Sequence, residues 1–365
     1  MNLFIPLGLF LVLLCYVNRL NNKRAANAFV FSMSVVCVLA MIRWEFGPDY
    51  FNYYEVYEGI QGADIENYVG RGMTIEKTFL YFLRLFPNYT SFIIFLTIFW
   101  FSSNTFFLKT HVPSQYYWFV LLYFIFKSDY FLDGLVAMRT TMCAAIFLIA
   151  LHFLIRKQRL IYVALIVVAS LFHTSAIGLM VFVFVNSNRN SFLFKNIVIV
   201  VVGIIALVAV LIGYNPLLDS LSSFVMENVD ELQRYSERDI SSSGTSLFTF
   251  IFRLMTLAIL VYLSKSASKE TDPTLIKLYQ IAVVAAMINL MLGQSLINDR
   301  YFLILNPVYI LCIVISYKKN PAYVNAIISL FILVIALYIL YNKFSKPYFV
   351  SFLKYKTIFS APVIP

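Results

Sequence analysis

The amino-acid sequence predicts an all-α, polytopic integral membrane protein. Its 365 residues are 61% hydrophobic and only 13% charged, with a mean hydropathy of +0.82. A soluble core cannot bury that much apolar surface, so a bilayer is the expected solvent. The apolar runs are continuous rather than alternating, which favours helices over a β-barrel. Because the runs recur along the whole chain, the sequence predicts a single transmembrane domain over residues 1–365.

The lengths of the runs set the number of spans. A spanning helix needs roughly 20 apolar residues, and runs of that kind predict about 10 to 12 transmembrane helices. Ten spans are placed at about 2–17, 26–42, 90–108, 114–128, 137–155, 196–213, 247–264, 278–293, 301–317 and 322–342.

Two further segments do not fit as simple spans. Residues 75–86 (IEKTFLYFLRLF) are too short to cross and predict an interfacial helix on the outer side. Residues 160–185 are long enough for one tilted span, but a single crossing would move the later basic loops, including Lys318 and Lys319, outward. That would oppose the positive-inside bias. The sequence therefore predicts a re-entrant hairpin with His173 near its tip.

This topology places both termini on the outer side and the polar residues in two outer loops, about 43–89 and 214–246. All acidic residues except Glu270 and Asp272 fall on the outer side or at outer helix ends. Apolar residues at helical spacing in the second loop predict an amphipathic helix on the membrane. The basic C-terminal tail runs against the charge bias.

Several kinds of site are disfavoured. The chain has no HExxH, DxD or CxxC motif and no Gly-rich phosphate loop before a helix. The four cysteines fall singly inside apolar runs, as small core residues do. The net charge of +10 is attributed to cytoplasmic loops rather than to nucleic-acid binding. We therefore expect no metal, no cofactor, no nucleic-acid partner and no cytoplasmic nucleotide-sugar chemistry.

Arginines at the outer ends of helices are the most informative charged residues. One explanation is snorkelling or an ion pair with a nearby aspartate. The other is a site, because ionisable residues in or near a membrane are costly and usually functional. The always-charged, planar guanidinium grips phosphate bidentately, so a lipid-linked phosphate or diphosphate is the expected ligand. The arginines concerned are Arg43, Arg139, Arg253 and Arg300.

Asp49 and His173 are the candidate proton acceptors. Asp49 follows the turn signal Gly47-Pro48, so an Asx turn is its structural alternative. His173 has the alternative of a satisfied polar group in the core, which is also the expectation for His111 and His152. The tyrosines and tryptophan near Asp49 fit either an interfacial aromatic belt or stacking on sugar rings.

The order of these motifs resembles a known family. Arg43-x-x-x-Gly47-x-Asp49-Tyr50-x-x-Tyr53 resembles the opening signature of the EpsG-like branch of Wzy polysaccharide polymerases. The resemblance covers roughly residues 40 to 305. The motifs that follow in the family's order are Glu76, Arg139, His173-Thr174-Ser175 and Arg300-Tyr301.

The resemblance implies a GT-C-like glycosyltransferase of the bacterial inner membrane. Such proteins join undecaprenyl-diphosphate-linked repeat units of O-antigen, capsule or exopolysaccharide on the periplasmic side, and a chain-length regulator is a further partner that it allows. Arg43, Arg139 and Arg300 would hold the donor diphosphate, while Asp49 or His173 would deprotonate the acceptor hydroxyl. Inverting transfer without a metal is expected. Supporting residues would be Tyr50, Tyr53, Glu76, Glu227, Tyr235, Arg253 and Tyr301.

Three other functions stay open. A flippase or transporter of the same lipid-linked glycan should show charges at the membrane midplane and often internal repeats, and neither is evident in the sequence. A ligase of the O-antigen type uses similar chemistry with a different acceptor. A membrane acyltransferase would need a catalytic histidine at an acyl-donor channel, and one histidine alone does not argue for it.

Overall fold

The computed structural model is built almost entirely of helices. It describes residues 4–47, 49–62, 65, 76–185, 247–267, 273–292, 296–317, 321–344 and 356–357. These residues fall into two compact units, Met1–Leu179 with Asn320–Pro365 and Met180–Lys319. The predicted span 196–213 and the predicted surface helix in 214–246 lie outside the described residues, and the single membrane domain stays a prediction.

The first unit contains the helices on which the site is built. α8 is its most buried helix, since α8 packs against both α5 and α9 and nearly all of its residues are buried. Its elements are α1 (Phe4–Val17), α2 (Asn22–Met41), β1 (Arg43–Trp44), α3 (Asp49–Gln61), α4 (Lys77–Arg84), α5 (Tyr89–His111), a 3₁₀ helix (Ser114–Tyr116), α6 (Tyr117–Phe126), α7 (Ser128–Val136), α8 (Met138–Ile155), α9 (Arg159–Phe172), α13 (Ala322–Phe344) and β2 (Lys356–Thr357). A second 3₁₀ helix (Thr174–Phe184) follows α9 and continues into the second unit.

Within its described residues, the second unit contains three α-helices that pack against one another. α11 contacts both of its neighbours, and the Tyr279 hydroxyl donates to the carbonyl of Cys312, 2.9 Å away. The helices are α10 (Leu247–Ala267), α11 (Pro273–Leu292) and α12 (Leu296–Ser316).

The helices coincide with the predicted spans wherever the structure describes them. Among the described residues, α2, α5 and α8 are long and apolar enough to cross a bilayer, and shorter apolar helical stretches accompany them. The all-α class is therefore confirmed. The short helix predicted over 75–86 is present as α4, with Phe79, Leu80 and Leu83 buried on one face.

Helix α3 was not predicted. The segment has little hydropathy and many tyrosines, so its periodicity is weak in the sequence. It begins at Asp49, where a carboxylate in the first turn favours the positive end of the helix dipole. Tyr50, Val56 and Tyr57 are buried, and α3 packs against α4.

The chain reverses direction at His173. The Tyr162 hydroxyl, near the start of α9, donates to the carbonyl of Leu179 in the following 3₁₀ helix at 2.5 Å. Eleven residues of straight helix would separate Tyr162 from His173 by about 16 Å. The hydrogen bond to Leu179 therefore requires the 3₁₀ helix to fold back along α9. Whether this pair is re-entrant in a membrane stays a prediction.

The C-terminal tail returns to the end of α2. Strands β1 and β2 pair antiparallel, with Arg43 opposite Thr357 and Trp44 opposite Lys356. Lys356, one of the basic residues of the tail, therefore lies beside the start of the first long loop. This pairing gives Lys356 a structural position that the charge pattern did not explain.

Gly134 lets α7 approach α5 closely. A Cβ atom at this position would overlap the indole ring of Trp100. Trp100 is fully buried, and its ring packs against those of Phe101, Phe124 and Tyr130, which prevent it from moving aside. This contact sets the position of α7, whose end leads directly into α8.

We expect Gly134→Ala to destabilise the protein by about 1–3 kcal/mol, because the added methyl group overpacks the core. Gly62→Ala is the matched control, since a Cβ atom there meets nothing within 4 Å. Melting temperatures of the purified variants in detergent provide the measurement. Equal melting temperatures for the two variants would contradict the close approach.

Candidate functional site

Glu76 is the centre of a buried polar cluster. It occupies the N-cap position of α4, and its side chain is 10% exposed. One carboxylate oxygen, Oε2, lies 2.6 Å from Nη1 of Arg139. The other, Oε1, accepts a hydrogen bond from the backbone N–H of Thr174 at 2.7 Å and lies 3.2 Å from Nδ1 of His173. One carboxylate thus joins α4, α8 and the turn after α9.

Arg139 enters the cluster from the first turn of α8. Its side chain is 8% exposed, and its Nε donates to the hydroxyl of Tyr53 at 3.0 Å. Glu76 and Tyr53 therefore hold the guanidinium from two directions. A buried arginine is costly unless paired, and this pairing explains why the residue is tolerated at the end of an apolar helix.

His173 enters the cluster from the break between α9 and the 3₁₀ helix. Its backbone N–H closes α9 by donating to Ala169, while its own conformation is extended and ends the helix. The next N–H, of Thr174, opens the 3₁₀ helix and donates to Glu76. Because Nδ1 lies 3.2 Å from the carboxylate, we expect the neutral imidazole to carry its proton on Nδ1, which leaves Nε2 as the basic nitrogen.

The pKa of Glu76 reports the balance of these contacts. Burial alone would raise it, but the hydrogen bond from His173 and the charge of Arg139 outweigh burial and lower the pKa from its ordinary value of 4.5 to about 2. The carboxylate is therefore ionised at neutral pH. An ionised group with so low a pKa orients its neighbours rather than exchanging protons with a substrate.

Arg43, which was predicted to hold the donor diphosphate, is instead buried among the helices. It is 2% exposed, and its guanidinium donates to protein oxygens at the junction of three helices. Nη1 donates to Ala40 O at 2.5 Å and to Thr97 Oγ1 at 2.6 Å, and Nη2 donates to Leu135 O at 3.1 Å. These contacts connect the ends of α2 and α7 to α5. Arg43 therefore holds helices together, and we do not place it on the diphosphate.

Asp49, Tyr50 and Tyr53 lie together on α3. Asp49 is half-buried in the first turn, four residues before Tyr53 and therefore on the same helical face. Tyr50 is buried, and its carbonyl accepts from the hydroxyl of Tyr89 at 3.1 Å.

Gly47 forms the turn before α3. Its φ is +86°, and a Cβ atom there would overlap Val136, so only glycine fits this turn.

The remaining predicted residues belong to the second unit or lie outside the described residues. Arg253 is half-buried in α10, and its Nη1 donates to Asn289 O of α11 at 3.3 Å. Arg300 and Tyr301 belong to α12, and their side-chain surroundings lie outside what the structure describes. Glu227 and Tyr235 lie outside the described residues.

The sequence did not predict the contact between His111 and His152. His111 ends α5 and His152 lies in the last turns of α8, with Nε2 of the first 3.1 Å from Nδ1 of the second. The residues are far apart in the sequence, and only the packing of α5 on α8 brings them together.

In the part of the chain that the structure describes, no group of three or more His, Cys, Asp or Glu side chains could hold a metal ion.

Comparison with known families identifies the chain. The sequence model of the EpsG family matches residues 4–357. The chain belongs to the EpsG family. Searches of curated proteins and of solved structures find no match.

Membership in the EpsG family gives the cluster a general context. The family match and the apolar helices together indicate that the chain is a membrane protein. The family is associated with polysaccharide biosynthesis and suggests a polymerase-type, glycosyltransferase-like enzyme. The match spans every element of the Glu76 cluster in this EpsG-family protein.

We expect Glu76→Gln to lower the stability by about 3–5 kcal/mol, because it leaves the buried Arg139 without its counter-charge. The low pKa of Glu76 contributes stability that is fully present above about pH 4.5 and is lost as the pH falls through about 2. The melting temperature of the wild type should fall over that range, and Glu76→Gln should lack this component. Glu55→Gln, on the exposed face of α3, is the control. A Glu76→Gln protein with the pH profile of the wild type would contradict the assignment.

Proposed function

We propose that this EpsG-family protein polymerises undecaprenyl-diphosphate-linked oligosaccharide repeat units on the periplasmic side of the inner membrane. The observation that carries the proposal is the buried ionised Glu76, which holds an arginine and a histidine side by side. Arginine suits the diphosphate of a leaving group, and histidine suits the proton of an attacking hydroxyl. The family's association with polysaccharide biosynthesis supports the choice of glycan as substrate.

The proposed reaction is a single displacement. The oxygen of an acceptor hydroxyl attacks the anomeric carbon of the donor sugar, and the bond from that carbon to the diphosphate oxygen breaks. The electron pair leaves with the diphosphate, and the hydroxyl proton passes to His173. Inversion at the anomeric carbon follows from the single displacement. Because protein groups stabilise the leaving charge, the step requires no metal ion.

Arg139 is the proposed group for the leaving diphosphate. Glu76 and Tyr53 fix the direction of its guanidinium before substrate arrives. Fixed charges that need no reorganisation stabilise a transition state better than mobile ones. Arg300 stays a proposed second contact, on the strength of its place in the family motif order.

His173 is a better candidate for the base than Asp49. Glu76 lies against its Nδ1, which orients the ring in the way that a carboxylate orients a catalytic histidine. Asp49 lies in the first turn of α3, where a carboxylate stabilises the helix without any role in chemistry.

The architecture around this centre is proposed to be GT-C-like, with α9 and the 3₁₀ helix as a re-entrant pair and both termini in the periplasm. The reversal at His173 and the pairing of β2 with β1 support this arrangement. In it the Glu76 cluster lies at the outer ends of the helices. Charges at one end of the helices favour an enzyme working on one face over a flippase, which needs its site near the midplane.

The surface glycan of a strain lacking this gene tests the function. We expect the deletion to lose the long-chain ladder while single repeat units still reach the surface. A wild-type copy should restore the ladder, and Arg139→Ala at matched expression should not. Arg84→Ala, an exposed arginine of α4, is the control and should restore it. Loss of every repeat unit from the surface, with lipid-linked units trapped inside, would indicate a flippase instead.

The same strain separates the two candidate bases. We expect His173→Gln to reduce polymer by about 100-fold or more, the usual size of general-base catalysis. Asp49→Asn should retain most of the activity, because the lost interaction of its charge with the helix dipole is worth only about 0.3–1 kcal/mol. The amount of polymer per cell, normalised to the amount of protein in the membrane, gives the comparison. The opposite order of the two variants would make Asp49 the base.

A further inference from the structure

A cavity of about 400 Å³ lies between α3 and the start of α5. This volume falls within the range of about 300–1,000 Å³ that is typical of ligand pockets. Aromatic and uncharged polar side chains form most of its wall. The lining residues that carry the argument are Trp44, Tyr54, Tyr57, Glu58, Gln61 and Tyr89.

The spacing of residues on α3 builds one side of the pocket. Tyr50, Tyr54, Tyr57 and Gln61 are separated by four, three and four positions, which places them on one helical face. The sequence shows this stripe of tyrosines but does not show that it faces a cavity rather than lipid.

The aromatic wall is held in place by its own contacts. The Tyr57 hydroxyl donates to the carbonyl of Phe86 at 2.9 Å, and the Tyr89 hydroxyl donates to that of Tyr50 at 3.1 Å. The ring of Tyr89 lies edge-on to the rings of Tyr50 and Tyr54, with centroids 5.2 and 5.6 Å apart. A wall fixed in this way loses little freedom when a ligand binds.

The charges of the lining select a class of ligand. Among the described residues, the pocket is lined by one carboxylate, from Glu58, and by no lysine, arginine or histidine. A phosphate or diphosphate would therefore find no counter-charge in this lining. Hydroxyl groups would find partners in Gln61 and Asn88, and the buried indole Nε1 of Trp44 has no hydrogen-bond partner within the described part of the chain. Such a lining suits a ligand with an apolar face and a polar edge, as a pyranose ring has.

The pocket adjoins the Glu76 cluster. Tyr53, which contacts Arg139, directly precedes Tyr54 of the pocket on α3. On the other side, the Tyr89 hydroxyl lies 3.4 Å from Sδ of Met138, the residue before Arg139. A ligand in the pocket would therefore lie beside the proposed diphosphate site.

We propose that this pocket is a glycan subsite, which binds a sugar ring of the repeat unit against its tyrosines while Arg139 holds the diphosphate. The assignment rests on the proposed function and deepens it. It separates recognition of the sugar, by α3 and the start of α5, from recognition of the leaving group, by α8. Differences in the wall of the pocket would then select which repeat unit is polymerised.

Binding of an unreactive sugar tests the subsite. The probe is the repeat-unit oligosaccharide released from the strain's own polysaccharide, without lipid or phosphate, added to full-length protein in nanodiscs. Tryptophan fluorescence reports the binding, because Trp44 lines the pocket. We expect Tyr54→Ala to weaken binding by about tenfold or more. Tyr54→Phe, which keeps the ring, should bind within about threefold of the wild type.

Tyr81→Ala is the matched control, since Tyr81 lies on the neighbouring helix α4 with its side chain 49% exposed. It should bind the probe as the wild type does. Equal affinities for Tyr54→Ala and Tyr81→Ala, or a wild type that binds inorganic pyrophosphate but not the oligosaccharide at millimolar concentration, would overturn the subsite. Because the probe cannot react, its binding is independent of the polymer ladder. An intact ladder in Arg139→Ala would instead sink the proposed function while leaving the binding result to stand.

Discussion

The pairing of Glu76 with Arg139 is the interaction on which the rest of the site depends. A buried guanidinium at the end of an apolar helix needs a counter-charge, and Glu76 supplies it from a short helix that would otherwise be a surface element. The same carboxylate accepts from Thr174 and contacts His173, so it also fixes the point at which the chain reverses. Removing it would leave three elements without their common partner.

The surrounding fold brings these elements to one place. α8 is nearly all buried between α5 and α9, which fixes the direction in which Arg139 leaves the helix. α4 packs its apolar face against α3 and α9, which brings Glu76 to the level of α8. Arg43, although it is part of the opening motif, contributes by joining the ends of α2 and α7 to α5. The opening motif therefore contains both a residue that holds the helices together, Arg43, and a residue that contacts the Glu76 cluster, Tyr53.

The sequence predicted the helices far better than the contacts between them. Apolar runs of the right length identify spans because the bilayer imposes that length. Arg139 was unusual in the sequence because it opposes the charge bias, and His173 was unusual because it interrupts an apolar segment. The central position of Glu76 was not evident, because its partners are 63 and 98 residues away and periodicity does not report which faces meet. Likewise, the sequence does not distinguish the role of Arg43 from that of Arg139. Only the packing of the helices shows that Arg43 donates to backbone carbonyls.

The polymerase that we propose would need only lipid-linked repeat units as substrates. The most direct test is polymerisation by the purified protein in liposomes, supplied with those units and with no nucleotide sugar. A ladder of glycans that the wild type forms and Glu76→Ala does not, with both proteins folded by size-exclusion chromatography, is the predicted result. A wild type that leaves the units unjoined, or a Glu76→Ala protein that forms the same ladder, would contradict the account.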